Sequence, residues 1–205
     1  MRRAILSPLI LAALAVLATA ACIGGRASPG TQHHVLSPAI EAPSAGVAGL
    51  ETLRVIGVGP ISVPAYLDRP QMVMRPAPDQ IEVNEFDQWG EPLRDGITRV
   101  VSVNLARLLP ESLVVTFPWR SVEKIRYQVI LEVVQMDGPA GGNVALDARW
   151  RVLDPSGRQV AARVVRLTEP AGPGADATAA AMSRALGTLS RDIARELKAT
   201  EGWLR

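Results

Sequence analysis

The sequence predicts an α+β domain in which a mixed, mostly antiparallel sheet packs two long helices on one face, preceded by a signal peptide and a flexible tether. Three observations predict it. Residues 143–153 alternate, with Val144, Leu146, Ala148, Trp150 and Val152 on one face and Asp147, Arg149 and Arg151 on the other. Two stretches, 91–109 and 176–200, repeat apolar residues at helical spacing. The first 21 residues run from basic to apolar to small, the order of a secretory signal.

Met1-Arg2-Arg3 supplies the positive start, and Ala4 to Ala18 is apolar except for Ser7 and Pro8. That run is shorter than the ~20 apolar residues of a spanning helix, so residues 1–21 are expected to be cleaved. Ala20 and Ala21 are the small side chains a signal peptidase needs, and the thiol of Cys22 follows them. The segment resembles a bacterial lipobox, with Thr19 where the pattern usually carries Leu. By that resemblance Cys22 takes a diacylglyceryl group and palmitate-type acyl chains. Two or more chains anchor stably where one does not, each buried CH₂ contributing about 0.8 kcal/mol. Ile23, not the Asp of an inner-membrane retention signal, follows the cysteine, which by analogy sends the chain to the outer membrane, facing the periplasm. Cys22 is the only cysteine, so no intramolecular disulfide is possible.

Residues 22–49, rich in Gly, Ser, Pro and Ala, read as a tether, and the folded domain is expected over 50–205. His33 and His34 fall in that tether with no obvious carboxylate partner, and read as solvated linker, not metal ligands. Leu53–Val58 is a β-branched core strand bounded by Gly59-Pro60. Gln71–Arg75 and Gln80–Val83 pair as a hairpin across Pro76-Ala77-Pro78-Asp79. Glu91–Leu109 is the first helix, with Pro92 in its first turn, the stripe Leu93, Ile97, Val100, Val101, Leu105, Leu108, and Pro110 beyond its end. Leu113–Phe117 reads as a buried strand. Arg126–Met136, apolar on both faces, reads as a central one. Asp154-Pro155-Ser156-Gly157 turns the alternating strand back into Arg158–Thr168. A closing helix to about Thr200, capped by Asp176 or Thr178, carries the stripe Met182, Leu186, Leu189, Ile193, Leu197.

Charge excludes a nucleic-acid footprint: without Arg2 and Arg3, basic and acidic side chains balance at 20 each. The sequence has no phosphate loop, and Gly57-Val58-Gly59 lacks the third glycine of a dinucleotide cradle. It has no His-Glu-x-x-His, no cysteine pair and no Gly-x-Ser-x-Gly, and both histidines lie in the expected tether. The expectation is a protein that is not an enzyme, with no catalytic residues, metal or cofactor.

The unusual region is Gly59–Pro92, where Pro60, Pro64, Pro70, Pro76, Pro78 and Pro92 alternate with Tyr66, Phe86 and Trp89. Prolines fix the backbone and aromatics supply contact area. The region is therefore either a pre-shaped recognition surface or a plug for the end of the core. Ile56-Gly57-Val58-Gly59-Pro60-Ile61-Ser62-Val63-Pro64-Ala65-Tyr66-Leu67-Asp68-Arg69-Pro70-Gln71-Met72-Val73, continued by Glu85-Phe86-Asp87-Gln88-Trp89-Gly90-Glu91-Pro92-Leu93, resembles the signature of the ABC-type transport auxiliary lipoproteins, the PqiC-like family. The resemblance spans about residues 30–200. It implies a periplasm-facing lipoprotein that works with an MCE-domain protein and, through it, an ABC permease and ATPase in lipid transport, and that forms a homo-oligomeric ring. It makes Tyr66, Leu67, Asp68, Arg69, Pro70, Trp89, Pro92 and Leu93 structural or interface candidates. Two other readings remain: a periplasmic lipoprotein that binds lipid itself, which needs a cavity, and a structural envelope lipoprotein.

Overall fold

The computed structural model describes residues 30–41, 54–119 and 124–200. The predicted signal peptide, Cys22 and residues 23–29 and 42–49 of the predicted tether lie outside them. A five-stranded sheet runs in the order β5-β2-β6-β7-β8, made of Ser112–Thr116, Arg54–Ser62, Tyr127–Asp137, Asn143–Leu153 and Gln159–Pro170. β2 is parallel to both β5 and β6. The two longest ladders, β6 with β7 and β7 with β8, are antiparallel. Two helices, α1 (Leu93–Leu108) and α2 (Ala175–Ala199), pack on each other and on this sheet.

The periodic elements form as their patterns require. Val144, Leu146, Ala148, Trp150 and Val152 of β7 are all at most 2% exposed. The α2 stripe Met182, Leu186, Leu189, Ile193 and Leu197 is at most 1% exposed, each side chain contributing roughly 1.5–3 kcal/mol by burial. Pro92, whose ring fixes φ, sits at the N-cap of α1. β6 is the middle strand, as expected, but only one of its faces is buried: Val129, Leu131 and Val133 are at most 2% exposed, whereas Val134 on the other face is 42% exposed.

Four expectations are corrected. First, the hairpin of β3 (Gln71–Ala77) and β4 (Gln80–Trp89) does not join the large sheet; it forms a second sheet, order β1-β4-β3, with β1 (Gln32–His34) parallel to β4. Second, residues 31–41 belong to the domain and not to a tether: Thr31 opens the compact unit, and Leu36 and Ile40 are 2% and 8% exposed. Ile40 is fixed by its N–H to Asn104 Oδ1 (3.3 Å) and its carbonyl to Arg107 Nη1 (2.5 Å). Third, β5 is an edge strand, not a buried one, with Leu113 43% exposed. Fourth, neither Asp176 nor Thr178 caps α2. Gly174 is the N-cap, at φ 93° where glycine is favoured, while Thr178 Oγ1 donates to the Gly174 carbonyl and Asp176 is committed to another residue.

Candidate functional site

The two quoted motifs converge. After β2 the chain makes tight turns through Pro64–Pro70, closed by Leu67 N–H to the Pro64 carbonyl (2.9 Å) and Arg69 N–H to the Leu67 carbonyl (2.9 Å). Leu67 is 2% exposed and pins the turn to the core. The second motif ends β4, where the Trp89 N–H donates to the Pro70 carbonyl at 2.7 Å and the Gly90 N–H to the His34 carbonyl at 2.8 Å. These bonds bring the first motif, the second motif and β1 to one place.

Tyr66 is a structural member of the motif. Its Oη donates to Asp137 Oδ2 at 2.6 Å. Asp137 has no solvent exposure and also accepts from Arg75 Nε (2.8 Å), Arg75 Nη2 (3.2 Å) and Gln135 Nε2 (2.8 Å). The Arg75 guanidinium lies over the Tyr66 ring, 5.1 Å from its centroid. Burial first, and then the bond to Asp137, push the Tyr66 phenol up to about 12. The Asp137 hydrogen bond raises Arg75 further above its ordinary value.

The eight candidates divide by depth. Leu67, Trp89 and Leu93 are at most 7% exposed and belong to the core. Tyr66 is half-buried, whereas Asp68, Pro70 and Pro92 are exposed. Asp68, Arg69, Pro70, Trp89, Gly90, Glu91 and Pro92 line one cleft of about 350 Å³. Glu91 is held by Arg99 Nε at 3.1 Å and by its Nη2, which also donates to the Leu36 carbonyl. Arg69 Nε is buried and has no acceptor among the described residues. The cleft therefore offers two rigid prolines, an exposed carboxylate and a half-buried arginine, a surface suited to contacting another molecule.

Sequence reasoning missed His34. It is 6% exposed, with Nε2 2.7 Å from Asp87 Oδ1 and Nδ1 2.8 Å from Asp176 Oδ1. This side chain ties β1 to β4 and to the first turn of α2. The reading of His34 as solvated and unpartnered is thus corrected. The available signal was Asp87, which lies inside the second motif. No group of three or more His, Cys, Asp or Glu among the described residues is arranged to hold a metal. No described helix is long and apolar enough to cross a membrane.

Comparison with known proteins gives a consistent picture. A crystal structure of an uncharacterized protein superposes with a TM-score of 0.68 at 20% identity, covering 82% of this chain and 99% of that one. A Xanthomonas campestris protein of the DUF330 family gives a TM-score of 0.57 at 18% identity, over 81% and 90% of the two chains. Identities this low bear on the fold alone. No curated protein matches the chain. The family model described as "ABC-type transport auxiliary lipoprotein component" matches residues 34–194, from the buried histidine of β1, through both motifs, to the last turns of α2. On the strength of that match the chain is a member of the ABC-type transport auxiliary lipoprotein family.

Proposed function

We propose that this protein is a non-enzymatic subunit of an MCE-type lipid transport system, held by lipid on Cys22 at the outer membrane and facing the periplasm. Its work is positional. The anchor fixes one end, and the cleft between the two motifs docks an MCE-domain protein, through which an ABC permease and ATPase supply the energy. The observation that carries this reading is the convergence of Asp68, Arg69, Pro70 and Pro92 in one cleft, braced from below by Leu67, Trp89 and Leu93. Such bracing keeps a contact surface pre-organised, which lowers the entropy cost of binding. A ring of copies of this chain around the partner is the assembly that fits the resemblance.

The test is co-purification. Affinity-tagged full-length chain, extracted from membranes, is expected to retain an MCE-domain protein. An Asp68→Lys/Arg69→Glu double variant is expected to lose it at least tenfold while melting at the same temperature. Unchanged recovery with the double variant removes the cleft as the docking surface. Absence of any MCE-domain protein from the intact chain removes the reading as a whole.

A further inference from the structure

A groove of about 670 Å³ opens elsewhere, where the parallel strands β2 and β5 end beside α1. The carboxyl ends of parallel strands are a recurrent place for ligands. Its wall is mainly apolar, with Pro60 and Ile61 from β2, Val103 from α1, and Phe117 and Pro118 after β5. Phe117 is 49% exposed, although its ring packs edge-on against Trp119 at 5.3 Å. Arg94, Asp95, Thr98, Arg99, Ser102 and Thr116 share the lining, and an apolar groove of this size with placed polar groups is the ordinary form of a small-molecule site.

One of those polar groups is unusual. Ser102 lines the groove and is 8% exposed, and its Oγ has no hydrogen-bond partner among the described residues. The two buried serines of α2 behave differently. Ser183 Oγ and Ser190 Oγ donate to carbonyls four residues earlier, at 2.8 Å and 2.7 Å. A buried hydroxyl left without a partner is costly, and a ligand oxygen removes that cost. Arg94 lines the same groove, and among the described residues its guanidinium pairs with Asp95, at 3.5 Å, an exposed carboxylate that also lines it. Arg99 is committed to Glu91. The first turn of α1 adds the positive end of the helix dipole. Ser102 lies about 12 Å along the helix axis from Arg94.

We propose that this groove binds one acyl chain of an anionic glycerophospholipid. The chain lies against Pro60, Ile61, Val103 and Phe117. An ester carbonyl accepts from Ser102 Oγ, and the phosphate faces Arg94. The spacing of the two polar groups favours a glycerolipid, which carries acceptors at separated points, over a free fatty carboxylate, which carries one. This inference does not depend on the docking cleft or on an MCE partner.

Photo-crosslinking tests it with the full-length chain reconstituted in vesicles. One arm uses phosphatidylglycerol with a diazirine in one acyl chain, and the other a diazirine-bearing free fatty acid. Crosslinks from the phospholipid are expected to concentrate on Ile61, Val103 and Phe117. Val103→Trp and, separately, Thr98→Trp fill the groove and are expected to cut this labelling at least tenfold with unchanged melting. Ser102→Ala and Arg94→Glu are each expected to reduce it several-fold. Labelling spread over the surface and unmoved by the tryptophan variants overturns the proposal. So does equal labelling by the free acid that ignores Arg94→Glu.

Discussion

Asp137 shows what a single side chain does in this fold. Its carboxylate is wholly buried and joins Tyr66 of the first motif, Arg75 of β3 and Gln135 of its own strand. Removing it strips the Tyr66 phenol and the Arg75 Nε and Nη2 of their acceptor, leaving the guanidinium only its Nη1 bond to the Pro78 carbonyl. Asp137→Ala is therefore expected to cost about 3–5 kcal/mol, seen as a fall in Tm of about 10 °C in calorimetry. A change of under about 2 °C would show that the cluster is not structural. Tyr66 carries a pH signature. Its pKa rises from 10 to about 12, so the fold favours the neutral phenol. That contribution is whole below pH 10 and is lost as pH climbs through 12. Denaturant melts at about pH 9 and about pH 11.5 are expected to differ more for the wild-type chain than for Tyr66→Phe; equal losses would contradict the assignment. The sequence marked Tyr66 through its motif. It did not mark Asp137 or His34, because their partners, Gln135 apart, lie 53 to 142 residues away in the chain and no local period announces them.

Among elements, those with their own periodicity were legible: both helices, β7 and the turn into β8. β1 was not. It has three residues, and the apolar positions after it, Leu36 and Ile40, are scattered among Ser, Pro and Ala. It is held by distant partners, including the His34 contacts and the Ser37 N–H to Ser183 Oγ (3.0 Å). The docking cleft was legible as two motifs but not as one place, since nothing local in sequence predicts the bond from Trp89 to Pro70. Two glycines record close approaches. A Cβ on Gly187 would stand 2.9 Å from Ala39 Cβ, so α2 accepts an interior glycine, costing about 0.5–1 kcal/mol, to seat the 36–41 segment. Gly187→Leu is expected to displace that segment. Hydrogen exchange should then speed up at Leu36 and Ile40 and stay unchanged in β7; protected amides at both positions would refute the account. Gly59 sits at φ 122° with its Cβ position 2.6 Å from Phe117 Cβ. Gly59→Ala is expected to destabilise by more than about 1 kcal/mol in a urea melt, and a neutral result would mean that the two strand ends separate freely.

At the largest scale, the sequence implied one sheet and the described residues form two, because β4 turns its free edge to β1 and not to the core strands. The proposed membrane role rests on Cys22. A Cys22→Ser chain is expected to keep the wild-type melting temperature and to leave the membrane fraction, as read by fractionation and immunoblotting. Retention after the signal is cleaved would end the lipid-anchor reading. If lipid holds Cys22, the eight residues Ile23–Gly30 are all the chain that lies between the acyl groups and Thr31, where the packed domain begins. Eight residues span at most about 30 Å. On that proposal a partner meets the domain within reach of the bilayer surface.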